Sequence, residues 1–218
     1  MCDNINNDNK LEKIFNKIKK DNKTKFDSSI DIYINLIFNK KKNKTNNINL
    51  IKENLLLPYG NGKKYIILAI IPKNKRKQIK KLNYKHIYIG GNKYINKIKN
   101  KKWTKFNVIV TTKHYINKIL KLGKILGSKG LIPSNNYITN DPYKEIKNII
   151  SSKYIEIKNN NNKIINITIG KTSFENKILI KNLKFILNKI EIIKKKYLFN
   201  IKNIYLSSTM GTSFKLNN

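Results

Sequence analysis

The sequence predicts an α/β protein of two domains. One is a terminal, two-layer α+β domain built from both chain ends, residues 1–65 and 151–218. The other is an inserted Rossmann-like α/β three-layer domain, residues 66–150. Three observations predict this. Near both termini apolar residues alternate with polar ones, the mark of strands buried on one face. Between Tyr65 and Thr111 the strand candidates are continuously apolar and alternate with helical stretches, the pattern of a parallel sheet covered on both faces. A long amphipathic helix and a last strand then return the chain to the half-buried pattern.

Taken in order, Leu11, Ile14, Phe15 and Ile18 fall at helical spacing within residues 10–21. Ile30, Ile32, Ile34 and Leu36 alternate with Asp31, Tyr33 and Asn35 as a half-buried strand. Residues 39–49 read as a basic polar loop, and Leu55–Leu57 as a short strand ended by Pro58 and the Gly60-Asn-Gly62 turn. The inserted block then runs strand Tyr65–Ile71, helix 74–83, strand His86–Ile89, helix 92–101, strand Phe106–Thr111 and helix 113–122. Beyond Ile150 come strands Tyr154–Ile157 and Ile164–Ile169 around an asparagine turn at 159–162. A helix over 174–195 carries Phe174, Ile178, Leu183, Ile186, Leu187, Ile190 and Ile193 on one face, with Thr172 and Glu175 at capping-box spacing. Ile201–Ser208 is the last strand.

The 218 residues hold 47 basic against 12 acidic side chains, a formal net charge of +35. A polyanionic partner is expected, nucleic acid first and an acidic membrane surface second. Much of the excess is compositional: 46 Lys, 41 Ile and 37 Asn stand against two Val, one Ala and one Arg. AAA, ATT and AAT codons produce that skew, which fits an A+T-rich bacterial or organellar genome. Phosphate contacts are therefore expected from lysine point charges rather than guanidinium forks. The single cysteine, Cys2, excludes an internal disulfide and a cysteine-based zinc site. There is no apolar run near 18 residues and no signal-peptide or transit-peptide pattern, so the chain is expected to work where it is made, without a membrane span.

No catalytic, metal or cofactor site is predicted. His86 and His114 lack partners at ligand spacing, and the carboxylates lie singly among lysines. Gly60-Asn-Gly-Lys63 and Gly123-Lys-Ile-Leu-Gly-Ser-Lys-Gly130 lack phosphate-loop spacing. An enzyme of the Rossmann type needs a glycine fingerprint after Tyr65–Ile71, where Pro72-Lys-Asn-Lys stands instead. A membrane-surface reading of the 174–195 helix competes with its use in closing a core. A generic basic nucleic-acid-binding protein is the remaining alternative, and the Lys40–Lys44 run suits non-specific phosphate attraction.

Against the lysine-rich background, five blocks stand out: Lys25-Phe-Asp-Ser-Ser-Ile-Asp31, Leu57-Pro-Tyr-Gly-Asn-Gly-Lys63, Leu122-Gly-Lys-Ile-Leu-Gly-Ser-Lys-Gly-Leu-Ile-Pro133, Ile169-Gly-Lys-Thr-Ser-Phe174 and Leu206-Ser-Ser-Thr-Met-Gly-Thr-Ser-Phe-Lys215. In this order and spacing they resemble ribosomal protein L-one of the bacterial and organellar type. The resemblance implies a monomer within the large ribosomal subunit that binds ribosomal RNA through the domain of both termini and forms a mobile stalk. It also implies a part in releasing deacylated tRNA from the exit site, repression of its own mRNA through the leader, and a cytoplasmic or organellar ribosome as location. It implies RNA contacts at Lys25, Phe26, Ser29, Gly170, Lys171, Ser173, Ser208, Thr209, Met210 and Gly211, and a hinge at Pro58, Gly60 and Gly62. Core packing is the alternative role for Phe26 and Met210, and capping of the strand end for Thr209. The chain departs from the family's pattern in Met-Gly-Thr for Met-Gly-Pro, Gly-Ser-Lys-Gly for Gly-Pro-Arg-Gly, Tyr59 for a hinge His, and a reduced Asn49–Glu53 segment.

Overall fold

The computed structural model describes residues 8–38, 51–101, 103–133, 137–159 and 163–216. The basic loop 39–49 and turn residues 160–162 lie outside them. The chain forms two compact units, the first of Met1–Gly62 with Lys153–Asn218, the second of Lys63–Ser152. The two crossings therefore fall at 62/63 and 152/153 rather than at 65/66 and 150/151.

The first unit is built on β1 (Ser29–Phe38), whose inward residues Ile30, Ile32, Ile34 and Leu36 are buried and whose outward ones are partly exposed. β1 pairs antiparallel with β7 (Ile164–Lys171) on one side and with β8 (Phe199–Ser208) on the other. β9 (Ser213–Lys215) completes the order β7-β1-β8-β9. Leu11, Phe15 and Ile18 of α1 (Asp8–Lys20) and Leu179, Leu183, Ile186, Ile190 and Ile193 of α7 (Asn176–Tyr197) join the same core. Burial of each such side chain contributes about 1.5–3 kcal/mol. A separate ribbon of β2 (Lys52–Leu56) and β6 (Tyr154–Lys158) adds Ile155 and Ile157 to that core. Glu53 on β2 accepts hydrogen bonds from Lys196 (2.5 Å) and Tyr197 (3.1 Å), tying the ribbon to the end of α7.

In the second unit β3 (Ile67–Ile70), β4 (Ile87–Gly90) and β5 (Val108–Thr111) form a parallel sheet in the order β4-β3-β5. β3 and β5 are buried throughout, the reason their sequences are continuously apolar. α2 (Lys73–Lys80), α3 (Asn92–Lys101), α4 (Lys113–Leu120), α5 (Gly123–Gly127) and α6 (Pro142–Ile150) accompany the sheet. Two helices correct the sequence reading. The predicted helix 113–122 ends at Leu120, and a second short helix begins at Gly123, inside the glycine-rich block. Residues 142–150, with no predicted element, form α6, started by Pro142 and capped by Asp141, which accepts from the Lys144 N–H at 3.4 Å.

The capping box is also corrected. α7 starts at Asn176 with Glu175 at its N-cap and no side-chain cap, because Thr172 donates instead to Asp27 Oδ1 at 3.1 Å. What anchors α7 is a fully buried asparagine on its inner face. Asn182 accepts from the Tyr59 N–H (3.3 Å) and donates to the carbonyls of Gly60 (2.8 Å) and Ile169 (2.8 Å). It thereby holds the turn at 59–62, where Gly60 and Gly62 adopt φ of 72° and 75°, conformations that favour glycine.

Replacing Asn182 by Ala or Leu leaves these backbone groups unpaired, at a cost of about 1–3 kcal/mol. Both variants should lower the urea midpoint and speed exchange of the Tyr59 amide. Equal midpoints for wild type and Leu variant would remove this role from Asn182.

Candidate RNA interface

Because β1 is antiparallel to both its neighbours, its start lies beside the ends of β7 and β8. The register places Ser29 opposite Lys171, and Ile30 opposite both Gly170 and Ser208. Two loop bonds extend the pairing: Thr172 N donates to Ser28 O and Thr209 N to Ser29 O, each at 3.0 Å. The residues predicted at 25–29, 170–173 and 208–211, far apart in sequence, therefore meet at one end of one sheet.

The organiser of this end is Asp27, which lies in the first block but was not among the predicted site residues. Its carboxylate accepts from Ser173 N (3.0 Å), Ser173 Oγ (2.9 Å) and Thr172 Oγ1 (3.1 Å), and pairs with Lys171 Nζ at 3.6 Å. Lys171 also donates to the Asp27 carbonyl at 3.2 Å. Desolvation, the largest single influence, pushes the Asp27 carboxyl up. The Ser173 and Thr172 hydrogen bonds and the Lys171 charge together outweigh it, and its pKa lies below the ordinary carboxylate value. From α1, Lys19 donates to Phe174 O and fixes the far side of the same loop. Burial lowers the Lys19 pKa, and the charge of Glu175 offsets part of that. The signal for Asp27 in the sequence is a lone acid between Lys25 and the Ser28-Ser29 pair.

The predicted residues differ in what they present. Lys25 is exposed, as are Phe26 (56%) and Met210 (91%), so neither apolar side chain is spent on the core. Met210 sits at φ 62° in the tight turn closed by Gly211 N to Ser208 O at 2.9 Å. Ser29 and Ser173 border this surface, the hydroxyl of Ser173 being committed to Asp27. Thr209 is half-buried, and its hydroxyl reaches Ser29 O at 3.4 Å, so it closes the strand end within the protein. Ser208 is buried, and a Cβ on Gly211 would lie 2.1 Å from its Oγ. Gly170 faces inward: a Cβ there would lie 2.6 Å from Leu179 Cδ2. Gly170 and Gly211 thus serve close packing of protein on protein. Of the predicted hinge residues, Gly62 packs beside the Lys171 stem, 3.0 Å from where its Cβ would be, and Pro58 is exposed.

The surface so built offers ammonium groups, one thioether, one ring and backbone edges, suited to holding a polyanion and not to covalent chemistry. Among the described residues no three His, Cys, Asp or Glu side chains converge as metal ligands, and no helix is long and apolar enough to cross a membrane.

The sequence that builds this sheet of both chain ends and the inserted parallel α/β unit has known relatives. Residues 18–212 match the model of the ribosomal protein L1p/L10e family. The chain is 34% identical over 210 residues to the large ribosomal subunit protein uL1 of Mycoplasma capricolum, covering 94% of this chain and 89% of that protein. Its counterpart from Pelagibacter ubique is 32% identical over 211 residues, with 94% and 89% covered. That of Porphyromonas gingivalis is 32% identical over 203 residues, with 91% and 84% covered. The chain belongs to the ribosomal protein L1p/L10e family, a family of structural ribosomal proteins and not of enzymes.

The lowered Asp27 pKa gives a pH test. A carboxyl whose folded pKa is depressed stabilises the fold above its unfolded pKa of about 3.9 and loses that contribution as pH falls through the folded value. Asp27→Asn should be less stable than wild type at pH 7, and the difference should shrink progressively below about pH 4. Urea titrations between pH 7 and pH 2.5 would show this. A gap that persists undiminished at the acid end would mean that the carboxylate charge is not what holds the loop.

Proposed function

We propose that this chain, a component of the large ribosomal subunit, holds a folded stalk segment of large-subunit ribosomal RNA on the sheet end formed by residues 25–29, 170–173 and 208–211. The observation that carries this reading is the convergence there of three blocks, each of which resembles the family's RNA-binding sequence. Lys25, Phe26 and Met210 face the RNA directly. Ser29, Lys171, Ser173 and Thr209 shape the surface from its edge, and Gly170, Ser208 and Gly211 allow its backbone to close up. Shape and 2′-hydroxyl contacts are the mode a folded RNA allows. Gly62 ends the first unit, with Pro58 and Gly60 just before it, and the resemblance supports these residues and 150–153 as a hinge.

The family resemblance extends the reading to release of deacylated tRNA from the exit site, to repression of the chain's own mRNA, and to a bacterial cytoplasmic or organellar ribosome. Ribosomes depleted of the chain that release deacylated tRNA at the undepleted rate would sink the tRNA role. An extract whose synthesis of the chain ignores added protein would sink the mRNA role. Recovery of the chain with isolated small subunits instead of large ones would overturn the assignment as a whole.

The interface itself is tested by side chains already in solvent. Phe26→Ala should cost about 1–3 kcal/mol of stalk-RNA binding, the range for loss of a base-stacking ring, or about a tenfold to hundredfold weaker Kd. Met210→Ala should weaken the same binding. Both should leave thermal stability within about 0.5 kcal/mol. Normal binding by both variants would remove this end of the sheet from the RNA surface.

Salt gives a second measurement. Binding to any RNA should fall on a log–log plot by roughly 0.7 to 0.9 per phosphate neutralised, with stalk-RNA binding persisting above that of a random sequence at high salt. Parallel loss of the two would leave a generic polycation.

A further inference from the structure

Arg76 is the one guanidinium among 47 basic residues. From α2 it reaches back to the carbonyl of Ile71, with Nε and Nη2 each at 3.1 Å. Those bonds use two of its five N–H donors. The rest of the side chain lines a cavity of about 390 Å³ in the second unit, together with Lys73, Lys93, Tyr94 and Tyr115. The floor is Gly90-Gly91, at the carboxyl end of β4, the edge on which open α/β sheets receive ligands.

Both glycines are needed for the cavity to have this shape. A Cβ on Gly90 would lie 2.3 Å from the Tyr94 ring, and one on Gly91 would lie 2.5 Å from Arg76 Nη2 and 3.2 Å from the Tyr115 hydroxyl. Among the described residues no carboxylate lines the space. The whole second unit contains only Asp141 and Glu145, and Asp141 caps its own helix. Lys73, Arg76 and Lys93 give the described lining three cationic side chains, a setting that favours an anion.

We propose that this cavity is a binding site for single-stranded RNA, in which Arg76, Lys73 and Lys93 hold a backbone phosphate and Tyr94 and Tyr115 supply flat surface for the adjoining base. Cations that track the backbone beside rings that take the bases are the means by which single strands are held without sequence preference. A dinucleotide cofactor is disfavoured, because the strand β3 is followed by Pro72-Lys-Asn-Lys and not by a glycine turn. The site lies in the second unit and goes beyond the stalk-RNA reading of the first.

Trp103, the chain's one tryptophan, belongs to the second unit and lies with its ring centroid 5.4 Å from that of Tyr94, a residue of the cavity lining. Full-length protein titrated with hexauridylate should show a saturable change in Trp103 fluorescence. Inorganic phosphate and uridine monophosphate should bind at least about tenfold more weakly, the first leaving both tyrosines without a base and the second leaving one of them so. Lys73→Gln/Lys93→Gln, at exposed residues, should weaken hexauridylate about tenfold and flatten its salt slope by about 0.7 or more. Lys80→Gln/Lys121→Gln removes the same charge from exposed positions outside the cavity lining and should have a much smaller effect.

Equal losses from the two pairs would overturn the site in favour of diffuse charge, and a mononucleotide as tight as the hexamer would overturn the RNA assignment. Absence of any saturable Trp103 response would overturn the site outright. Stalk-RNA affinity measured on the same variants keeps the two readings apart, since it tests the first unit and is read independently through Phe26→Ala.

Discussion

The fold of the first unit depends on β1 lying between β7 and β8. Ten residues near the N-terminus fill the gap between two strands that the chain supplies more than a hundred residues later. An inner strand satisfies its N–H and carbonyl groups on both edges, and here it also sends Ile30, Ile32, Ile34 and Leu36 into the core under α1 and α7. These pairings are non-local, so the unit cannot be completed before its C-terminal strands exist. Loop-closure entropy grows only with the logarithm of length, and so an inserted unit between the two halves is a tolerable cost. The same antiparallel pairing brings residues 25–29, 170–173 and 208–211 to one sheet end. Core and proposed interface are consequences of one register.

Outside the ladder, polar side chains hold what regular structure does not. Asp27 fastens residues 171–173, and Asn182 fastens the turn at 59–62 to both α7 and β7. The two clamps are neighbours: Gly62 packs against the stem of Lys171, the residue that Asp27 pairs. The clamps differ in setting. Asn182 is fully buried and neutral, so its value lies in the unpaired groups its loss would leave. Asp27 is partly exposed and charged, which makes its contribution dependent on pH and screened by salt.

Much of this was legible in residue pattern. Period-two alternation located β1, the continuous apolar runs located β3 and β5, and helical spacing located α1 and α7. Departures came where the signal was short or ambiguous. α6 has a clear start in Asp141-Pro142, but nine residues give periodicity little to work with. Thr172 and Glu175 fit a capping box by spacing, yet Thr172 is drawn to Asp27, a partner 145 positions away. Asn182 sits among apolar residues of α7, where sequence alone does not tell a buried polar group from a break in the stripe.

Sequence by itself determined the class of the longer elements, the contrast between half-buried β1 and fully buried β3 and β5, and the blocks that carry the family resemblance. These are local properties, set by the alternation of side chains along a few residues. Which side chains face solvent was decided only by the tertiary structure. Met210 and Phe26 are exposed, while Ser208 and Gly170 are buried in the same small region, although all four belong to the blocks that carry the family resemblance. Strand register, a bulge at Ile30/Asp31 and a turn at positive φ set those directions. The meeting of Arg76, Lys73, Lys93 and two tyrosines above Gly90-Gly91 is of the same kind. It arises because parallel strands end at one edge and the segments that follow them gather there.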